Sequence, residues 1–165
     1  MQMNATRRDG ALEVSNRSTE PKSLRHEHVK AQRLSALGDP HVQRLTRFVD
    51  ELRQRKGQDY AIPYFDPHDG GTDAKALFLL EAPGGKAKDS GFVSRDNPDE
   101  TAKNIWTMSR ELGIDRRDSI IWNVCPWYVG TPSKIRAVRA SEDINDFKEV
   151  SSCRSRYLLI LKNYL

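Results

Sequence analysis

Ala76-Leu77-Phe78-Leu79-Leu80-Glu81-Ala82-Pro83-Gly84-Gly85 is the stretch from which the fold can be read. Five apolar residues stand between Lys75 and Glu81, and a Pro-Gly-Gly breaker follows almost at once. A run this short, closed so abruptly, reads as a strand rather than a helix. Its lack of polar alternation reads as burial on both faces, the environment of a parallel sheet. Ligands of open parallel sheets bind beyond the carboxyl ends of the strands. Glu81 stands at that end.

Toward the C-terminus, Asn97-Pro98-Asp99-Glu100 has the form of a helix start, with Asn97 as N-cap and Pro98 at the first helical position. Ala102, Ile105, Met108 and Leu112 recur at helical spacing and Gly113 fits the position just past the end, so a helix is expected over 98–112. Ser119-Ile120-Ile121-Trp122-Asn123-Val124 is a second β-prone run, broken by Pro126. Strand, helix, strand with short connections is a βαβ unit, whose strands run parallel and end on one edge of the sheet. Glu81 and Asn123 are therefore expected to face one pocket. Toward the N-terminus, Asp39-Pro40 opens a helix whose stripe is Val42, Leu45, Phe48, Val49 and Leu52 and which Gly57 closes. Arg53, Arg55 and Lys56 in its last turn suit the negative end of the helix dipole and read as a solvated helix end. Residues 58–75, with Pro63, Pro67, Gly70 and Gly71, read as a long irregular connection.

The chain of 165 residues bounds the answer at one domain with a tail, and 30% charged against 37% hydrophobic residues fits a soluble protein with a modest core. A net charge of +4 agrees with a polyanionic partner without requiring one. Residues 1–33 carry Arg7, Arg8, Arg17, Lys22, Arg25, Lys30 and Arg33 among polar neighbours and read as a mobile extension, with a DNA-tracking arm as the other reading. The partial domain then occupies 34–165. No apolar segment of secretory-signal or membrane-span character is present, so a cytoplasmic location is expected. Ser141-Glu142-Asp143 caps a further helix, and Ile144, Phe147, Val150, Tyr157, Leu158 and Leu161 continue with broadly helical spacing.

Leu80-Glu81-Ala82-Pro83-Gly84, then Gly91-Phe92-Val93, then Trp122-Asn123-Val124 resemble the first half of the uracil-DNA glycosylase superfamily, nearest its family 4 and actinobacterial-type branches. Tyr64-Phe65-Asp66-Pro67 also resembles the segment that precedes the first motif in the actinobacterial-type members. The resemblance covers about residues 60–160, with Leu80 in place of the family's usual glycine. It implies a three-layer α-β-α fold on a parallel sheet, DNA as partner, single-stranded or uracil-containing, and excision of uracil in base-excision repair. Family 4 enzymes hold an iron–sulfur cluster on four thiolates, whereas this chain has only Cys125 and Cys153, so no cofactor and no metal are expected.

An enzyme acting on a base in DNA flips it into a pocket and reads its edge there. The resemblance gives Glu81 the catalytic role, positioning or activating the attacking water or stabilising positive charge on the sugar. Asn123 offers a donor and an acceptor to the uracil edge, Phe92 would stack on the base, and Ala82, Pro83, Gly84 and Gly85 would shape the pocket floor with their amides. Other branches carry a bulky aromatic in this turn to exclude the thymine methyl, and Gly84 leaves that gate open. Gly84-Gly85-Lys86 is not a P-loop, since Leu80 stands where its first glycine belongs and no Ser or Thr follows the lysine. Trp127, Tyr128, Lys134, Arg136 and Arg139 are candidates for the DNA backbone. The late histidine motif of the family has no counterpart, because His26, His28, His41 and His68 all precede the first strand. The expectation is thus a fold incomplete at its C-terminus, a two-stranded sheet with an unpaired edge, and little glycosylase activity in this chain. The alternatives are a non-catalytic nucleic-acid-binding remnant and an α/β protein that binds a small metabolite.

Overall fold

The computed structural model describes residues 20–131, 134–135 and 157–160. Helices α1 (Glu27–Ser35) and α2 (Gln43–Lys56) lead into the short strand β1 (Tyr64–Phe65) and then into β2 (Ala76–Leu80). Helix α3 (Gly85–Ser90), strand β3 (Phe92–Val93), helix α4 (Glu100–Glu111) and strand β4 (Ser119–Asn123) follow. Strands β5 (Gly130–Thr131) and β6 (Lys134–Ile135) form an antiparallel pair, and β7 (Tyr157–Ile160) is the last described element. The protein is a mixed α/β fold with parallel strand pairing.

Strand β2 is central: β4 pairs with it on one side and β7 on the other, both parallel. The register with β4 sets Phe78 beside Ile121 and Leu80 beside Asn123 on one face, and Leu77 beside Ile120 and Leu79 beside Trp122 on the other. Trp122 anchors the second face, its ring stacked 3.7 Å from Phe65 and edge-on to Phe48 of α2. Leu45, Val49 and Leu52 of α2 are buried in the same core. Ile105 of α4 belongs to this core too and lies with Ile121 on the first face. Helices thus cover both faces of the sheet, which is why its strands tolerate unbroken apolar sequence.

Two expectations need correcting here. Tyr157–Ile160 is a strand, not a continuation of helix, so β2 is paired along both edges instead of one. Tyr-Leu-Leu-Ile is the same kind of short apolar run as β2 and satisfies the backbone groups that a buried central strand must pair. Residues 141–156 of the expected helix lie outside those described. The boundary of the N-terminal extension also moves, because Leu24 and Arg33 have no exposed surface and α1 covers 27–35. Leu24 and Val29 close over Phe92 in a second apolar cluster.

Helix α4 begins later than Asn97 implied. Asp99 is the N-cap, its carboxylate accepting from the Ala102 N–H at 2.8 Å. Its C-terminus is a Schellman turn, with Ile114 N–H donating to Ser109 O, Gly113 N–H to Arg110 O, and Gly113 at φ 65°. The 66–75 connection is packed rather than loose. A Cβ on Gly70 would fall 2.0 Å from Arg117 O and one on Gly71 2.1 Å from His41 O.

Candidate functional site

Strands β2 and β4 stop together, as the βαβ reading requires. Pairing runs one step past them, with Val124 N–H donating to Leu80 O at 2.8 Å and Cys125 N–H to Glu81 O at 2.9 Å. The backbone of Glu81 is therefore fixed against the end of β4 before the chain turns through Ala82-Pro83 into α3. A cavity of about 500 Å³ opens at this end. One wall is the continuous stretch from Leu80 to Ala87, so Glu81, Ala82, Pro83, Gly84 and Gly85 all line it. The facing wall comes from Val93, Ser94 and Asn97 and from the first turns of α4, and Ile121 and Asn123 form the floor.

Asn123 is 1% exposed, and neither its Oδ1 nor its Nδ2 has a hydrogen-bond partner. Buried side-chain amides are seldom left so, and each unmade bond costs about 1–3 kcal/mol. Three other polar side chains of the wall are engaged. Asn97 accepts from Ser90 Oγ at 2.6 Å and donates to Phe92 O at 2.9 Å, which ties the end of α3 to the segment after β3. Ser94 Oγ donates to Asp66 and accepts from the Asp96 N–H at 2.9 Å, while Asp99 caps α4. A ligand presenting one donor and one acceptor on the same edge would satisfy Asn123. Around it the cavity offers apolar contact from Val93, Ala102, Ile105 and Ile121.

Two of the residues expected to contact DNA or its bases are placed elsewhere. Phe92 has no exposed surface and packs on Leu24 and Val29, with Tyr64 at 6.4 Å between ring centroids. Alternation along β3 explains this, since Val93 takes the cavity side and Phe92 must take the other. Trp127 is 5% exposed, edge-on to Tyr60 at 5.3 Å with Lys56 Nζ 4.5 Å from its ring centroid, so it is a core residue. Tyr128 is half-buried, with Lys88 Nζ 5.4 Å from its ring centroid. Lys134 lies in β6, and Arg136 and Arg139 lie outside the described residues. Cys125 is buried against Trp127 O, and Cys153 also lies outside them.

Sequence reading missed the ion cluster that supports the cavity wall. Arg33 reaches Asp66 at 2.8 Å and Asp96 at 2.6 Å, with all three side chains fully buried. Arg116 spans Asp66, Asp69 and Asp96 at 2.6, 2.9 and 2.7 Å. Arg95 lies 3.5 Å from Asp69 and donates to Ser119 Oγ at 2.8 Å. Burial opposes ionisation of Asp66, but Arg116 and Arg33 outweigh it, helped by Ser94 and the His68 N–H, and hold its carboxyl below the usual range. Burial pushes Asp69 up to about 6 against the pull of Arg95 and Arg116. It raises Asp96 as well, with Arg116 opposing and Asp66 adding to the rise. Apart from Arg33 on α1, these charges sit in the connections between elements, where one sequence shows no pairing. Among the described residues no group of three or more His, Cys, Asp or Glu side chains is arranged to hold a metal, and no helix is long and apolar enough to cross a membrane.

No protein-family model matches the chain, and no curated protein matches it significantly.

Proposed function

We propose that the cavity takes a pyrimidine base flipped out of DNA and that the protein is uracil-DNA glycosylase-like, acting on uracil. The observation that carries this reading is the buried, unpartnered amide of Asn123 at the floor of a cavity that Glu81 also lines. Uracil presents an adjacent donor and acceptor that the amide matches in one orientation, whereas cytosine presents the opposite order and is met only by the amide turned over, so discrimination requires Asn123 to keep one orientation. Glu81, at the turn after β2, is the group that would orient water toward the sugar carbon or offset positive charge developing there. The turn carries only Ala82, Pro83, Gly84 and Gly85, so no bulky side chain in it bars the methyl group of thymine. The selectivity expected is therefore uracil strongly over cytosine and weakly over thymine. No imidazole lines the cavity among the described residues, so hydrolysis is expected to be slow relative to recognition.

The test is fluorescence anisotropy with single strands that differ only in one central base. Uracil should bind about five- to 150-fold more tightly than cytosine, equivalent to about 1–3 kcal/mol, and Asn123→Ala should remove that difference while leaving cytosine affinity unchanged. Equal affinity for both strands in the wild type would contradict the reading and favour a nucleic-acid-binding protein without base recognition. Alkaline cleavage of the incubated uracil strand reads hydrolysis separately, and any breaks should disappear in Glu81→Ala.

A further inference from the structure

A second concavity of about 600 Å³ lies on the far side of α3 from the base cavity. Lys86 and Ala87 of α3 line the first, and Lys88, with Gly91 just beyond the helix, lines the second. Arg53 and Gln54 from the end of α2 and the segment from Tyr60 to Pro63 complete it, and among its described lining residues there is no carboxylate. Arg53 is held rigidly. Its guanidinium lies 3.9 Å from the Tyr64 ring centroid and donates to Ile62 O through Nε and one Nη, so its remaining N–H groups keep a fixed direction. Tyr60 is 42% exposed, yet its ring is braced edge-on against buried Trp127. Two cations, a braced exposed ring and backbone freed of bulk by Gly57 and Gly91 form the combination that grips single-stranded nucleic acid, with cations tracking phosphates and a ring face taking a base.

We propose that this groove binds the DNA strand that flanks the base held in the cavity, with Lys88 and Arg53 on its phosphates and Tyr60 stacked on a base. The inference rests on the reading of the cavity as a base site, because α3 contributes to the lining of both. A helix with its side chains is about 10–12 Å across, and a stacked strand advances about 3.4 Å per nucleotide, so the groove contacts lie about three nucleotides from the flipped base.

A length series separates this inference from the reading beneath it. Single strands of four and twelve nucleotides, each with a uracil or a cytosine second from the 5′ end and matched with the mark second from the 3′ end, are titrated against the full chain at several salt concentrations, so that the four-mer stops short of the groove. Uracil preference reports on the cavity, and the gain from four to twelve nucleotides reports on the groove. Twelve-mers of one polarity should bind more tightly than four-mers, and Tyr60→Ala should weaken only the twelve-mers, by about fivefold or more. Lys88→Gln should lower the salt slope of twelve-mer binding by about 0.7, and neither substitution should change the ratio of uracil to cytosine affinity. Both residues are solvent-facing, and thermal melting of each variant checks that the fold is kept. Twelve-mer affinity and salt slope unchanged in both folded variants would overturn the groove while leaving the cavity reading intact. Loss of length-dependent affinity in the variants, with no uracil preference in the wild type, would support the groove and overturn the cavity reading.

Discussion

Asn123 shows how much a single position can carry. Its place at the end of β4, opposite Leu80, follows from the βαβ order, so its meeting with Glu81 at one cavity was legible before any coordinates. Its lack of partners was not legible, because satisfaction depends on every neighbour in three dimensions. Phe92 was misjudged for a related reason: a two-residue strand is too short to phase inside from outside by pattern. The glycines separate by the same kind of local fact. Gly70→Ala should destabilise by several kcal/mol, since its Cβ would meet the backbone of Arg117 and force the chain apart. Gly84→Ala should change stability by no more than about 0.5 kcal/mol, because nothing stands within 4 Å. Urea denaturation of the two variants checks the contrast, and equal losses would contradict it.

At the scale of elements, the loops after β1 and β3 and the turn before β4 are joined by charge. Asp66 and Asp69 follow β1, Arg95 and Asp96 follow β3, and Arg116 precedes β4. Sequence reading recovered β2, β4, α2 and α4 because apolar spacing marks them, but it left these residues as connection, since opposite charges distant in sequence leave no periodic trace. Removing one partner of a buried cluster strands the others, so Arg116→Met should cost about 3–5 kcal/mol in denaturant unfolding. The cluster also sets a pH dependence. Between about 4, the ordinary carboxyl value, and about 6, folded Asp69 keeps a proton that the unfolded chain has released. Stability therefore falls as pH rises through that window, and Asp96 acts in the same direction. Asp66 has the opposite sign: its contribution is present above about pH 4 and is lost as pH falls toward its lowered value. Stability measured from pH 3 to 7 should peak near 4, and Asp69→Asn should flatten the decline above the peak. A steady rise from 4 to 7 in the wild type would contradict this assignment.

The whole molecule is organised by β2, which carries β4 on one edge, β7 on the other and Glu81 just past its end. The opening apolar run announced that strand and its burial, whereas β7 was hidden because Tyr157, Leu158 and Leu161 also fit a helical period. Short apolar runs do not distinguish the two, and only the demand of β2 for a second partner decides. Leu159→Pro, opposite Phe78, should lower the melting temperature and speed amide exchange at Leu77, Phe78 and Leu79. Unchanged exchange there would show that β7 does not guard that edge. The central claim is that the molecule holds one ready-made base site, and the side-chain amide of Asn123 reports on it directly. In nitrogen–proton correlation spectra with the Asn123 pair assigned by Asn123→Asp, titration with a uracil-containing single strand should shift that pair and slow its hydrogen exchange. The matched cytosine strand should leave it in place. An Asn123 amide that stays unmoved while the uracil strand binds would contradict the account.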